Sequence, residues 1–499
     1  MVLDCSPRNP DQRAGPTTFR ITRRLGQFGH FSHVDTDCSE EPHRQTAGSD
    51  RYAGFPAASC DPPVATPELA IPCGDHQVIV RSEEFHNFTP SAFGAAIYSY
   101  GNGQGYFEPL RRHFHPNMKT VRYSPQGKLL TLFFSLLVGC PYTSSINREL
   151  RPYPTLAQVL NMDSFPEQSQ VSRLLQEMTA SDLGDIALAF EETLRQHSRS
   201  GNSSLPVTVD VDTTGLVADG DTYEGARKGY FSEHKGKRGY QLNTAYVPEY
   251  GETLAVLFDP GNVPPGARFV DVMYAVAEVL GGWERIGLVR ADSAQGTMDY
   301  MRFLLEHSLD FLLRGHNSRT SRNLALPVPE CLWETVDWGL QATEGPPIYF
   351  DLPDERRVAV RTILSRCWEK DRWAYRHLCT TLPGHGPQAL YPVDVVQLYN
   401  QRGGSIEIDF KGDKGGIFIN HLRTRSFYGI WTFLITAFMA ANLLSLFGAK
   451  QLADTSLQSL GTNGMVHKLL RMPGRISVDG KITYITIPTG HPMTEALIR

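Results

Sequence analysis

The spacing of hydrophobic positions changes several times along the chain, and each change marks a region with different predicted secondary structure. Residues 1–72 show little periodicity and are rich in Pro, Ser, Asp, Arg and His, which is typical of an irregular or disordered segment. Over residues 73–204, apolar residues recur at spacings of three and four, as in KLLTLFFSLLVG (128–139) and SDLGDIALAFEETLRQH (181–197). The sequence therefore predicts a helical domain over residues 73–204.

A strand pattern begins at Leu205. In LPVTVDVDTT (205–214) Val alternates with polar residues, and YQLNTAYVPE and GETLAVLFDPG follow as two strands around a turn. RFVDVMYAVAEVLGG then predicts a helix, RIGLVRADS a buried strand, and TMDYMRFLLEHSLD (297–310) another helix. This order predicts a mixed α/β sheet over residues 205–314.

Short strands and turns fill residues 315–390, which we interpret as a β-rich insertion. Helical patterns then return, so residues 391–450 are predicted to continue the domain that the insertion interrupts. Residues 451–499 form a separate C-terminal segment in this division.

Residues 428–447 are apolar over a length that could span a bilayer. However, Thr432, Thr436, Asn442 and Ser445 dilute the segment, and no second candidate span accompanies it. We therefore predict a buried core helix and no membrane association.

Composition adds limits on location and partners. Hydrophobic residues make up 41% and charged residues 20% of the chain, as in ordinary soluble proteins. The eight cysteines include no CxxC pair and no secretory leader is recognised, so we expect reduced thiols and a cytoplasmic location. A net charge of -5 weakly disfavours a dedicated nucleic-acid binder, although a basic face on an acidic body would serve equally well. The glycines of YGNGQGYF (100–107) lack the Lys-Ser/Thr of a phosphate-binding loop, so no nucleotide cofactor is predicted.

Three acidic residues have the character of metal ligands. Asp212 and Asp292 each end a predicted strand, and Glu407 lies on the later helical pattern. Mg²⁺ and Mn²⁺ prefer carboxylate oxygens, and two such ions about 3.5–4 Å apart activate water and stabilise the leaving oxygen in phosphodiester cleavage. A strand-end Asp taken alone is more often a turn or capping residue, so only the combination supports this interpretation.

Asp210 competes with Asp212 for this role, because residues two apart on a strand share a face. We prefer Asp212, which lies where the strand is predicted to break into Thr213-Thr214. On the later helix, Lys411 and Lys414 share a face with Glu407 and would clamp DNA phosphates, unless the three form an ordinary solvated salt-bridge ladder.

The loop ARKGYFSEHKGKRGY (226–240) is basic and interleaved with tyrosines. Its cations are Lys228, Lys235, Lys237 and Arg238, and the mixture is suited to phosphates and exposed bases. A solvated β-turn is the competing interpretation.

A second DNA-binding candidate lies in the helical domain. FPEQSQVSRLLQEMT (165–179) places Ser172 and Arg173 near the start of a helix after a Pro turn, as in the recognition helix of a helix-turn-helix. Helical hairpins with polar first turns are common, so this alternative stays open.

Together these stretches resemble the DDE transposases of bacterial insertion sequences, in the ribonuclease-H-like branch with a Tyr-x-x-Arg-x-x-x-Glu-(six)-Lys signature. The resemblance covers roughly residues 205–450. Four residues rather than three separate Arg from Glu here, whereas six separate Glu from Lys. The matching pieces are VDVDTT with Asp212, VRADS with Asp292, and YNQRGGSIEIDFKGDKGG with Tyr399, Arg402, Glu407 and Lys414.

The resemblance implies an α/β fold, with a ribonuclease-H-like mixed-sheet catalytic core, a β-rich insertion and an N-terminal helical DNA-binding domain. It implies that Asp212, Asp292 and Glu407 are catalytic and hold two Mg²⁺ or Mn²⁺ ions, and that Tyr399 and Arg402 grip DNA.

The implied activity is cut-and-paste transposition in the bacterial cytoplasm, at the nucleoid. A homodimer would bind double-stranded DNA at the terminal inverted repeats and at the target, and would cut the ends through hairpin intermediates. A nuclease without strand transfer and a catalytically inactive DNA-binding derivative are the alternatives.

Overall fold

The computed structural model describes residues 68–82, 89–118, 122–218, 220–229, 231, 234–404, 406–479 and 482–498, without the side chains of residues 407–410 and 478. Most of the predicted irregular segment 1–72 therefore lies outside the described residues. The strands are β1 Glu68–Cys73, β2 His76–Ser82, β3 Val207–Val217, β4 Arg227–Lys228, β5 Arg238–Val247, β6 Glu252–Pro260, β7 Ile286–Ala291, β8 Phe311–Arg314, β9 Glu334–Asp337, β10 Leu340–Glu344, β11 Ile348–Asp351, β12 Arg357–Glu369, β13 Arg372–Thr380, β14 Arg475–Asp479 and β15 Ile482–Ile487. The α-helices are α1 Ala92–Gly103, α2 Glu108–His113, α3 Pro125–Leu137, α4 Ser145–Glu149, α5 Pro154–Val159, α6 Gln168–Gln176, α7 Ala180–His197, α8 Phe269–Leu280, α9 Met298–Glu306, α10 Ser318–Ala325, α11 Pro392–Asn400, α12 Ile406–Gly416, α13 Phe427–Gln451, α14 Thr462–Gly464 and α15 Thr494–Leu497. Short 3₁₀ turns occur at Trp283–Arg285 and Glu330–Leu332, and a π-helical turn at Met465–Leu470.

The main sheet is mixed, as the sequence predicts. Its first strands lie in the order β6, β5, β3, β7, β8, with β3, β5 and β6 antiparallel and with β7 and β8 parallel to β3. Helices α8 and α9 connect β6 to β7 and β7 to β8. This arrangement is consistent with the ribonuclease-H-like core that the resemblance implies.

The β-rich region after β8 continues the same sheet. Strand β13 pairs with β8, and β12, β10 and β9 follow outward, while β11 pairs with β12. The predicted strands over residues 315–390 are therefore confirmed, but helix α10 within them was not predicted. Its start is defined by Asn317, whose side chain accepts hydrogen bonds from the backbone N–H groups of Arg319 and Thr320.

The two ends of the described chain form a second, four-stranded sheet in the order β1, β2, β15, β14. Residues 68–72 are thus strand where the sequence predicted an irregular segment, and the boundary after residue 72 falls inside β1. Strand β2 likewise occupies the start of the predicted helical domain and pairs in parallel with β15. Local periodicity could not reveal this pairing, because the partners are about 400 residues apart in sequence.

Helix α13 is a core helix, which confirms the prediction for residues 428–447. It is long and apolar enough to cross a membrane, but 94% of its most apolar window is buried inside the fold. Its polar residues have partners there, since the Asn442 amide bonds both the N–H and the C=O of Thr253 at 2.9 and 2.8 Å, and Ser445 donates to Tyr250 O at 2.8 Å. Strand β6 therefore binds α13 by hydrogen bonds as well as by packing.

The predicted helices of residues 73–204 pack around α13. Helices α1, α3, α6 and α7 contact it, and their buried apolar residues belong to the same continuous cluster as those of β3, β5 and β6. The helical region thus shares its core with the sheet. Its DNA-binding role stays a prediction.

A buried ion pair joins the two central parallel strands. Arg290 on β7 donates from Nε and Nη2 to the two carboxylate oxygens of Asp210 on β3, at 2.7 and 2.8 Å. Asp210 is fully buried and Arg290 is 3% exposed. The remaining Nη1 donates to Leu398 O on α11 at 2.8 Å, so one guanidinium links three elements.

We expect Arg290→Met to lower the free energy of unfolding by about 3–5 kcal/mol, because it leaves the Asp210 charge buried without its partner. Urea denaturation measures the loss. Adding Asp210→Val should recover part of it, whereas Arg356→Ala, which breaks the exposed pair with Asp354, should cost less than about 1 kcal/mol. Equal losses for the buried and the exposed pair would contradict this account.

Candidate functional site

The structure brings Asp212 and Asp292 side by side. In the parallel ladder of β3 and β7, Asp210 is opposite Arg290 and Val211 is opposite Ala291, so the next positions are Asp212 and Asp292. Because side chains alternate along strands, both aspartates lie on the face that carries the Asp210–Arg290 pair. Both side chains are partly buried.

One part of the prediction for Asp212 is wrong. The strand does not break at Thr213-Thr214 but continues to Val217, because β5 pairs with it over this whole stretch. What ends near Asp212 is the parallel pairing, since β7 stops at Ala291. Asp212 therefore lies in the middle of a strand, at the edge formed by the end of β7.

The surroundings of Asp212 act in opposite directions on the pKa of its carboxyl group. Its Oδ1 accepts a hydrogen bond from the Thr213 N–H at 2.8 Å and lies 3.1 Å from Nη2 of Arg402. Burial raises the pKa of the Asp212 carboxyl, and the charge of Asp292 raises it further, whereas Arg402 and the Thr213 N–H oppose the shift. The net direction is upward, so this carboxylate gives up its proton less readily than an ordinary Asp.

Arg402 is a buried cation directed at the aspartates. It is 3% exposed and also donates from Nη2 to Val211 O at 3.0 Å. Burial alone would lower the pKa of Arg402, but the charge of Asp212, followed by Tyr399 and Asp292, raises it overall. The guanidinium is therefore firmly charged and fixed to the backbone of β3.

Asp292 begins a tight turn after β7. Its Oδ1 accepts the Ala294 N–H at 2.8 Å, and its carbonyl accepts the Gln295 N–H at 3.2 Å. A Cβ at Gly296 would lie 1.7 Å from Arg314 O, so only glycine allows the turn to pass this close to the end of β8. The position of Asp292 is thus set by local backbone geometry.

A chain of polar contacts lies on the opposite face of β3, and no sequence pattern predicts it. Thr213 donates to Asn243 Oδ1 at 2.7 Å, Asn243 reaches Asp259 at 3.4 Å, and Asp259 accepts Arg268 at 3.1 Å. Gln295 donates to Thr213 Oγ1 at 3.3 Å. This chain ties the turn that follows Asp292 to the strand that carries Asp212.

The segment of the Tyr-Arg-Glu-Lys signature forms α11, a turn and α12. Burial raises the pKa of the Tyr399 hydroxyl, Arg402 and Arg314 oppose this, and the charges of Asp292 and Asp212 add to it. Tyr399 is thus close enough to both aspartates to sense their charges.

Helix α12 reaches the Asp212 face of β3 through Lys414. Lys414 Nζ donates to Thr214 Oγ1 at 3.0 Å, and Thr214 is two residues beyond Asp212. Glu407 is in the first turn of α12, two turns before Lys414, and its side chain lies outside the described residues. Lys411 is exposed to solvent.

The cations of the basic loop lie at the surface, and their contact with DNA stays a prediction. Lys228, Lys235 and Lys237 are exposed, and Arg238 forms an ion pair with Asp221. The interpretation of Tyr240 as a base-contacting aromatic is wrong, because its ring is fully buried and its hydroxyl donates to Glu224 O at 2.6 Å.

Tyr230, the other tyrosine of this loop, lies outside the described residues. In the helical region, Ser172 is partly buried and Arg173 is exposed on α6, whose Val171, Leu174 and Leu175 face the core.

The donor set of the site fits a hard divalent cation. Each aspartate commits Oδ1 to a backbone N–H, and Oδ2 of each makes no hydrogen bond with any described residue. Each of these two adjacent carboxylates therefore has one oxygen, Oδ2, that could bind a metal ion, and Mg²⁺ and Mn²⁺ prefer oxygen ligands. Among the side chains that the structure describes, no cluster of three or more His, Cys, Asp or Glu could hold a metal ion; Glu407 is not among those side chains.

Comparison with protein families identifies the chain. The family described as Transposase DDE domain group 1 matches residues 104–499. The chain belongs to the DDE transposases. The match begins just after α1, so in this transposase it includes the helices α2–α7 and the C-terminal strands as well as the main sheet. A comparison with curated proteins gave no significant match.

We expect Mg²⁺ to raise the melting temperature of the wild-type transposase, because an ion that binds only the folded state stabilises it by about 2.7 kcal/mol at 100 times its Kd. Asp212→Asn and Asp292→Asn should abolish the Mg²⁺-dependent shift, since each removes a charged ligand. Differential scanning fluorimetry with Mg²⁺ or with EDTA measures it. Asp299→Asn, an exposed acid on α9, is the matched control. Shifts of wild-type size in both site variants would argue against a metal site here.

The Mg²⁺-dependent shift should also depend on pH through Asp212. Binding needs the ionised carboxylate, and because the pKa of Asp212 is raised, the shift should fade on acidification at a higher pH than for an ordinary Asp. Arg402→Gln removes the main influence that lowers this pKa, so the midpoint should move to still higher pH. Arg376→Gln, which breaks an exposed pair with Glu369, should leave the midpoint unchanged. If Arg402→Gln loses the Mg²⁺-dependent shift at the same pH as the wild type, Arg402 does not lower the pKa of Asp212.

Proposed function

We propose that this transposase cuts and rejoins DNA by metal-dependent chemistry at Asp212, Asp292 and Glu407, and that it belongs to the branch with the Tyr-Arg-Glu-Lys signature. The observation that carries the proposal is that Asp212 and Asp292 directly follow the last paired residues of β3 and β7, with Arg402 3.1 Å from the Asp212 carboxylate. Two neighbouring, partly buried carboxylates that share one nearby guanidinium are suited to binding divalent ions.

Bound Mg²⁺ or Mn²⁺, two ions in our proposal, would activate water and stabilise the charge on the leaving oxygen. Asp212 and Asp292 would offer their Oδ2 atoms, and we propose Glu407 of α12 as the third ligand. Arg402 opposes the upward shift of the Asp212 pKa and would fix the orientation of this carboxylate. Water then forms a bond to phosphorus, the bond from phosphorus to the 3′ oxygen breaks, and that oxygen takes up a proton to become a 3′-hydroxyl.

In the second step the freed 3′-hydroxyl attacks a phosphorus of the opposite strand, which yields a hairpin end and releases the other flank. Reopened ends would join target DNA by the same attack. Each exchange replaces one phosphodiester bond by another, so the same carboxylates serve every step. Tyr399, whose hydroxyl pKa is influenced by the charges of both aspartates, would contact the DNA strand.

Exposed cations give a path for the DNA beyond the aspartates. Strand β3 runs on from Asp212 to Val217, a distance of about 17 Å at 3.3–3.4 Å per residue. Lys228, Lys235 and Lys237 lie near this end of the hairpin with β5. Together with Lys411 and Lys414 on α12, they would neutralise phosphates on both sides of the cut.

We further propose that Ser172 and Arg173 on α6 contact the terminal inverted repeats, and that Arg238 contributes to the basic loop. A homodimer would hold the two element ends together, at the nucleoid of a bacterial cytoplasm.

The test is cleavage of a duplex that carries the DNA sequences flanking the gene. We expect Mg²⁺-dependent nicking, reduced about 100-fold or more by Asp212→Ala, Asp292→Ala or Glu407→Ala, because each removes several kcal/mol of charge stabilisation. Asp299→Ala should nick like the wild type. Denaturing gels resolve nicked, hairpin and joined products.

The products separate the alternatives. Nicks without joined products would favour a nuclease without strand transfer, and binding without nicks would favour an inactive DNA-binding derivative. Nicking that persists in all three alanine variants would reject the assigned residues.

A further inference from the structure

Lys128 is a buried lysine in the helical region. It lies in the second turn of α3 and is 7% exposed. Its backbone N–H donates to Ser124 O at 3.0 Å, whereas its ammonium makes no hydrogen bond and no ion pair with any residue in the described parts of the chain. The aliphatic stem of Lys128 is thus packed in the fold, and its charge has no carboxylate within ion-pair distance among the described residues.

Lys128 lines a cavity of about 370 Å³ between α3 and α6. Three arginines, Arg122, Arg151 and Arg173, line the same cavity, and all three are exposed to solvent at its mouth. The volume is within the range of ligand pockets in proteins. Four cations therefore converge from the segment before α3, from α3 itself, from the turn after α4 and from α6.

The charges of this cavity are not neutralised internally. Two carboxylates, Glu167 and Glu177, also line it, but within the described residues neither forms an ion pair with any of the four cations. Elsewhere in the transposase, arginines are commonly paired, as in Arg112 with Glu192 and Arg195 with Glu278. The cavity thus keeps an excess of unpaired positive charge.

A second cavity around α6 shares two lining residues with the first. Arg173 and Glu177 also line a neighbouring cavity of about 580 Å³, together with Tyr223 and Arg425. Arg425 follows α12 in the chain, and its carbonyl accepts the Glu224 N–H at 2.9 Å. A row of cations therefore leads from Lys128 past α6 toward the elements of the catalytic sheet, which suits a strand of successive phosphates.

We propose that the cavity lined by Lys128, Arg122, Arg151 and Arg173 binds a backbone phosphate of double-stranded DNA. The inference rests on the proposed function and names a phosphate contact of the DNA. Lys128 enters as a point charge inside the cavity, and the arginines hold the phosphate at its mouth. The contact is independent of base sequence.

The salt dependence of DNA binding tests the proposal. The full chain is bound to a short duplex of arbitrary sequence, and log K is plotted against log salt concentration. We expect the magnitude of this negative slope to decrease by about 0.9 in Lys128→Met, because one phosphate contact is lost. Lys128→Arg keeps the charge and should keep the slope, which separates charge from folding. Arg148→Met removes an exposed charge outside the cavity and should leave the slope unchanged.

A wild-type slope in Lys128→Met, or an equal fall in Arg148→Met, would overturn the proposal. A second experiment measures the thermal stabilisation of the protein by inorganic phosphate. If phosphate stabilises the wild type but not Lys128→Met, while the two have the same salt slope for DNA, the cavity binds a free phosphate compound. That result would reject DNA as the occupant. A reduced slope without any Mg²⁺-dependent nicking would instead uphold the phosphate site and reject the proposed catalytic function.

Discussion

The bidentate ion pair between Asp210 and Arg290 is the interaction on which the site depends. Two fully desolvated charges tolerate little misalignment, because a shift would leave both without compensation. The pair therefore fixes the register of β3 against β7, and side-chain alternation then makes Asp212 and Asp292 the next neighbours on the same face. Through Leu398 O the same guanidinium also holds the end of α11, which carries Tyr399. Strand register and helix position thus follow from one cation.

Arg402 alone does not balance the negative charges of Asp212 and Asp292. Burial and the charge of Asp292 both disfavour the ionised form of Asp212, and Arg402 offsets only part of this, which is why the pKa of Asp212 is raised. A divalent cation would remove the conflict. In the proposed function the cations on α12, on the basic loop and around α6 would contact DNA, so a net charge of -5 is compatible with that proposal.

The elements of the main sheet could be predicted because each has a local signature. Alternating Val residues marked β3, and the three-four spacing marked α8 and α9. The choice of Asp212 over Asp210 was made from a strand break that does not exist. The stronger reason, the engagement of Asp210 by Arg290, requires knowing which strands are neighbours. The same limit hid the parallel pairing of β2 with β15 and the chain from Thr213 to Arg268, since all of these contacts join distant positions.

The unusual spacing between Arg402 and Glu407 has a structural explanation. Arg402 lies just after α11 and Glu407 lies in α12, so the residues between them include the turn that joins two helices. Turns accommodate one extra residue far more readily than a helix does, because an insertion within a helix would rotate all later side chains by about 100°. The interval from Glu407 to Lys414 lies wholly inside α12, and there the spacing matches the signature. Under the proposed assignment to the signature branch, the spacing is therefore kept inside α12, where it sets the relative direction of Glu407 and Lys414 around the helix. The additional residue falls in the turn before α12, where it does not change that direction.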